Sequence, residues 1–222
     1  MEKYSVYLFD FDYTLADSSK GIVICYRNVM ERHGFMGVSD RAIKRTIGKT
    51  LVDSFREMTG VTDPGTLEEF RKEYVREADT HMTVNTVLFP ETEEVLRELK
   101  GRGKRIGIIS TKYRYRILEL LNLVFPEGLI DIIVGCEDVV EAKPSPEGIN
   151  LAIDRLGCRR GEVLYIGDSL VDSETALRSG VDFFGVLHGA TTRDELESLP
   201  NIGVGENLRH LLFTIYDLPF TI

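Results

Sequence analysis

Short apolar runs in this chain alternate with stretches whose apolar residues recur every three or four positions. The first run, Tyr4-Ser5-Val6-Tyr7-Leu8-Phe9, stops at Asp10-Phe11-Asp12-Tyr13-Thr14. Its continuous apolar character predicts a strand buried on both faces. From there to about residue 83 the pattern is helical. Ile22, Cys25, Tyr26, Val29 and Met30 mark a first helix, capped by Asp17 or Ser18 and ending near Gly34. Ser39 opens a short helix carrying Ala42, Ile43 and Ile47, closed by Gly48. A third helix follows Thr50 and stops at Gly60, with Leu51, Val52, Phe55 and Met58 inward. The fourth begins at Thr62-Asp63-Pro64 and carries Leu67, Phe70, Tyr74, Ala78 and Met82. Four helices between strand-bearing regions predict an inserted helical cap domain over residues 17–84. The core domain is then built from 1–16 and 85–222.

After Pro90 the texture becomes strand and helix in turn. Helices are predicted over Glu91–Lys100, Arg114–Leu121, Glu147–Leu156, Val171–Ser179 and Asn207–Tyr216, with a short one after Gly189. Strands are predicted over Lys104–Ile109, Ile130–Gly135, Val163–Gly167 and Asp182–Val186, and a weak one over Ile202–Val204. Such alternation predicts an α/β fold, a Rossmann-like and mostly parallel sheet with helices on both faces. Ligands of these sheets bind beyond the carboxyl ends of the strands. Polar groups fall at that edge four times: Asp10/Asp12, Ser110/Thr111, the loop with Lys143, and Asp168.

Composition narrows the partners. The chain has 222 residues, 43% hydrophobic and 28% charged, with a net charge of −9. That balance argues against a nucleic-acid surface, and no apolar stretch approaches a membrane span. An acidic protein that binds phosphate must gather a few cations in a pocket. Cys25, Cys136 and Cys158 form no C-x-x-C spacing, so inert thiols in a reducing cytoplasm are expected. Met1-Glu2-Lys3-Tyr4 shows none of the marks of a signal peptide, which fits a cytoplasmic protein.

Asp10 and Asp12 lie at i and i+2 of an extended chain, so their carboxylates point the same way. They repel unless a cation lies between them or one holds a proton. Taken alone, the pair also fits two solvated residues at a strand-to-loop turn. With Asp168 they supply hard oxygens suited to Mg2+. Ser110 and backbone N–H groups near the next helix start suit phosphate oxygens. Lys143 offers a point charge that offsets both a phosphate and a carboxylate attacking it. One carboxylate attacking phosphorus, with the second as general acid and base, satisfies the positions of Asp10 and Asp12.

Asp10-Phe11-Asp12-Tyr13-Thr14, Ser110, Lys143-Pro144 and Gly167-Asp168 through Asp172 resemble the four ordered motifs of the haloacid dehalogenase superfamily. The helical insert after the first motif resembles the small cap of its phosphoglycolate phosphatase-like branch. The resemblance spans about residues 4–190. It implies that Asp10 is the nucleophile and Asp12 the acid/base, and that Ser110 and Lys143 hold the phosphoryl group; Thr111 is expected to bind phosphate through its backbone N–H. It also implies Mg2+ held by the Asp10 side chain, the Asp12 backbone carbonyl and Asp168, with Asp172 in support. One departure stands out: Tyr13 occupies the place of a usual glycine, where it stiffens the cap hinge or narrows the mouth of the site.

The expected activity is Mg2+-dependent hydrolysis of a small, phosphoglycolate-like phosphate monoester, with a small phosphorylated metabolite as partner and a monomer or weak dimer as assembly. An inorganic pyrophosphatase, a nucleotidase or a β-phosphoglucomutase-type phosphotransferase would use the same scaffold. From a different class, a metabolite-binding regulator would have lost Asp10 or Asp12, and both are present. Lys49, in Ile47-Gly48-Lys49-Thr50, is a candidate for substrate specificity, facing an anionic leaving group or solvent. Arg45 reads as solvated. Tyr113-Arg114-Tyr115-Arg116 reads as a helix face meeting solvent or the cap, and His188 as a structural histidine.

Overall fold

The computed structural model describes residues 3–216. In chain order, β1 (Val6–Phe9) leads to a two-residue β2 (Ala16–Asp17), then α1 (Ser19–Arg32), α2 (Asp40–Lys44), α3 (Leu51–Thr59) and α4 (Pro64–His81). The chain returns through β3 (Val87–Leu88) to α5 (Thr92–Gly101), β4 (Arg105–Ile109), α6 (Arg114–Val124) and β5 (Ile132–Val134). It ends with α7 (Glu147–Leu156), β6 (Val163–Gly167), α8 (Leu170–Ser179), β7 (Asp182–Val186), α9 (Arg193–Glu197), β8 (Val204–Gly205) and α10 (Arg209–Tyr216). Residues 1–2 and 217–222 of the expected core lie outside the described residues.

Six strands form one sheet in the order β5-β4-β1-β6-β7-β8, and every pairing in it is parallel. β1 is central. Tyr7 and Phe9 point to one face, where α5, α6 and α10 supply Leu96, Ile117 and Leu211. Val6 and Leu8 point to the other, against Ile149 and Ile153 of α7, Ala176 of α8 and Leu196 of α9. Burial on both faces is why the first strand carries no polar alternation. Because β4, β1 and β6 are adjacent, the residues following them share one edge.

The four inserted helices pack around their own apolar cluster, in which Tyr26, Phe55, Phe70 and Tyr74 meet ring to ring. Ser39, Thr50 and Asp63 each accept a backbone N–H three residues on, as their sequence positions predict. Gly60 closes α3 at φ 73°. The first helix differs from expectation. Ser18 holds the cap position of α1 but makes no side-chain cap bond, because its hydroxyl donates to Asp12 Oδ1. Asp17 Oδ1 instead accepts from the Ser19 N–H at 2.9 Å.

Insert and core join at a neck that the sequence pattern does not predict. β2 and β3 pair antiparallel, Ala16 with Leu88 and Asp17 with Val87. Two residues per strand are too few for any periodicity. Thr92 Oγ1 donates to the Leu15 carbonyl at 2.7 Å and ties this neck to α5.

Candidate active site

Asp10 follows β1, Ser110 follows β4 and Asp168 follows β6, so three adjacent strands deliver them to one edge. Lys143 reaches the same point from the loop between β5 and α7. Its Nζ donates to Asp10 Oδ1 and Asp172 Oδ1, 2.6 Å each, and to Tyr165 Oη at 3.2 Å. All of these side chains are buried. Burial alone works against the lysine charge, but Asp10 and Asp172 more than reverse it and hold its pKa well above the ordinary value. For Asp10 the balance runs the other way. Burial pushes its carboxyl up to about 7, Lys143 opposes, and Asp172 and Asp12 add to the rise.

Asp172 is fully engaged. Oδ1 accepts from Lys143 and from Tyr165 Oη at 2.8 Å; Oδ2 accepts from the Ser169 N–H at 3.2 Å and its Oγ at 2.5 Å. Asp10 Oδ2, by contrast, is buried without a partner. Burial, with Asp172 and Asp10 nearby, raises the pKa of Asp168 well above the carboxylate range. Such a cluster fits a hard divalent cation. Oxygen atoms from Asp10, Asp168 and Asp172 lie within 4.8 Å of one another. Including Asp12 and its partner Lys112, four carboxylates face two ammonium groups, so full ionisation leaves two negative charges for a cation to offset. The Asp12 side chain stands outside the three-carboxylate cluster.

Asp12 is held from both sides. Ser18 Oγ donates to its Oδ1, and Lys112 Nζ lies 3.1 Å from the same atom. Sequence reasoning stopped at Ser110 and Thr111 and missed Lys112; its signal is only that it continues the polar Ser110-Thr111-Lys112 strand end. The Lys112 N–H donates to Ser110 Oγ at 3.2 Å. Ser110, Thr111 and Lys143 line one small hollow. Thr111 Oγ1 also donates to the Gly48 carbonyl of the insert at 3.4 Å. A second missed residue is Gly189, where any Cβ would overlap Asp168 Oδ2. Only glycine allows that approach.

Tyr13 lies at φ 60°, the left-handed region that favours glycine, and its N–H donates to the Ala16 carbonyl at 2.8 Å. Its side chain is buried and near Gly189. The backbone demand explains why glycine would suit this position, and burial of the ring compensates for its absence.

The remaining candidates divide. Lys49 lines the crevice between insert and core but is paired with Glu57. Arg45, expected in solvent, donates to Glu195 Oε1 at 2.8 Å and so connects the insert to the loop-side helix α9. Tyr113 Oη accepts from Arg71 of α4 at 2.7 Å, and Arg116 pairs with Asp79, so that helix face does meet the insert. His188 is structural: Nε2 lies 2.8 Å from Glu91 Oε1 and the ring stacks on Phe89.

Known proteins bear on this geometry. The sequence model of a family described as "Haloacid dehalogenase-like hydrolase" matches residues 7–186. A "Phosphoglycolate phosphatase" of Aquifex aeolicus is 32% identical over 186 residues, covering 79% of this chain and 81% of that one. "Pyrophosphatase PpaX" of Oceanobacillus iheyensis is 27% identical over 210 residues, covering 95% and 96%. A crystal structure from Bacteroides fragilis, described as a haloacid dehalogenase-like hydrolase, superposes with TM-score 0.93 at 57% identity, covering 94% of this chain and all of that one.

Proposed function

Because the chain belongs to the haloacid dehalogenase-like hydrolase family, we propose that it is a Mg2+-dependent phosphatase. It hydrolyses a small phosphate monoester through an aspartyl-phosphate on Asp10. The observation that carries this reading is the state of Asp10: buried, one oxygen held by Lys143 and the other without a partner. A carboxylate in that state has a free atom to offer and a fixed direction in which to offer it.

The Asp10 carboxylate bonds to phosphorus as the bond to the leaving oxygen breaks, and Asp12 gives that oxygen a proton. Asp12 then takes a proton from water, whose oxygen attacks the same phosphorus and releases phosphate, restoring Asp10. Ser18 and Lys112 orient Asp12 for both transfers. Ser110, the Thr111 backbone and Lys143 hold the phosphoryl oxygens. Asp10 and Asp168, with the Asp12 backbone carbonyl, are the groups to hold the cation, and Asp172 supports it through Lys143. The cation, when bound, neutralises charge on the phosphoryl group and on the carboxylates around it.

In this reading residues 17–84 are a lid domain over a core made of 1–16 and 85–222. Three free thiols support a reducing cytoplasm as its location; no described helix is long and apolar enough to cross a membrane. The relatives' names make phosphoglycolate and pyrophosphate the first substrates to try. The test is phosphate release with Mg2+ across a panel of phosphorylated metabolites, for the natural protein and Asp10→Asn. Release by the natural protein alone is expected. Equal release by both would overturn the mechanism.

A further inference from the structure

The crevice between insert and core opens onto Asp12, Thr111 and Lys112 and has a volume of about 170 Å³. Its inner wall is apolar: Ile22 and Tyr26 from α1, Leu51 from α3, Tyr74 and Ala78 from α4, and Met82 just after α4. Five of these six are buried, and the Tyr26 and Tyr74 rings meet at 4.6 Å between centroids. A leaving group attached to a phosphoryl group beside Asp12 has this wall ahead of it.

The cations of the crevice already have partners. Lys49 pairs with Glu57, Arg71 with Glu68, Lys112 with Asp12, and Arg116 with Asp79 and Glu119. A second anionic group on the substrate, such as the carboxylate of phosphoglycolate or the second phosphate of pyrophosphate, would have to share one of these cations with a carboxylate already on it and meet that carboxylate's repulsion. An uncharged apolar group makes no such demand. Transfer from water into such a site favours the apolar group.

We infer that the natural substrate is a phosphate monoester whose alcohol portion is uncharged and carries an apolar body about the size of one aromatic ring. A dry cavity of about 150 Å³ holds a benzene ring, so the crevice has the right capacity. The inference rests on the phosphatase reading above and narrows it. Burying a ring-sized body there raises kcat/KM by roughly ten- to a hundredfold over a small charged leaving group.

The test measures kcat/KM of the full-length, Mg2+-loaded protein for benzyl phosphate, 2-phosphoglycolate and pyrophosphate. Benzyl phosphate and 2-phosphoglycolate both release a primary alcohol. Benzyl phosphate is expected to lead by at least tenfold. An equal or higher value for either anionic compound overturns the inference and leaves the phosphatase reading intact. Ala78→Leu, which fills the wall, is expected to raise the KM for benzyl phosphate at least tenfold. An unchanged KM in a variant with native melting would overturn the placement of the ring. If that variant does not fold, the substrate ranking alone decides. No release from any of the three, nor from p-nitrophenyl phosphate, would remove the phosphatase reading and this inference together.

Discussion

Lys143 Nζ lies 2.6 Å from Asp10 Oδ1, with both side chains almost completely buried. The same Nζ holds Asp172. Removing one member of a buried charged group leaves the others uncompensated, which costs about 3–5 kcal/mol. Lys143→Met is therefore expected to lower stability by that amount in chemical denaturation, and to slow turnover roughly 10²–10³-fold, the size of one lost electrostatic donor. Asp172→Asn leaves the lysine its contact with Asp10 and is expected to cost less in both measurements.

Metal and pH should act on the same carboxylates. Asp10 has a pKa of about 7 when folded, raised by burial, and an ordinary one when unfolded, about 3.9. Between those values the folded protein binds the extra proton. Stability of the metal-free protein is therefore present at low pH and is lost as pH rises from about 4 to 7. Asp168, raised in the same direction, adds to the loss. The proposed Mg2+ would bind the charged form, so it is expected to raise the melting temperature more at pH 8 than at pH 5. An equal rise at both would contradict the assignment.

Asp12 is the proposed proton carrier, fixed by Ser18 and Lys112. Asp12→Asn keeps the shape and removes the proton transfer, which is expected to cost roughly 10²–10⁴-fold in turnover. Because attack by Asp10 does not need Asp12 as a base, an activated aryl phosphate should leave a phosphoenzyme that acid quenching detects. Ser18→Ala is expected to slow turnover less.

Tyr13 combines a left-handed backbone with a buried ring. Both Tyr13→Ala and Tyr13→Gly lose the ring, and only glycine relieves the backbone. Tyr13→Gly is expected to be about 1 kcal/mol more stable than Tyr13→Ala by denaturant unfolding. The reverse order would mean that the backbone changes conformation once the ring is gone.

Much of the fold was legible because the main strands are buried on both faces and so appear as apolar runs with abrupt polar ends. The helices between β2 and β3 were legible through their punctuation: Ser39, Thr50 and Asp63 cap helices, and Gly60 ends one. What escaped was whatever depends on distant chain. Arg45 is an ordinary surface arginine until Glu195, 150 positions away, meets it. The hydroxyl of Ser18 has two uses, helix cap and Asp12 donor, and only the folded turn decides between them. Lys112 and Gly189 belong to the site through close approach, which no local pattern encodes. The weak last strand lies at Val204–Gly205, slightly later than the apolar pattern suggests, because its partners are Gly185 and Val186 at the C-terminal end of β7.

The pairing of Ala16 with Leu88 bears on how the chain reaches this state. β1 and β4 are neighbours in the sheet, Val6 beside Arg105, yet the whole insert separates them in sequence. Joining them directly from an unfolded chain means closing a very long loop before any contact rewards it. If the insert condenses first around Phe55 and Phe70, its ends meet at the neck, and β1 and β4 are brought within a short reach of each other. The two-residue ladder is then a shortcut that lowers the effective contact order of the central sheet. Substitutions that loosen it should slow folding by nearly the whole of the stability they remove and leave the unfolding rate almost unchanged.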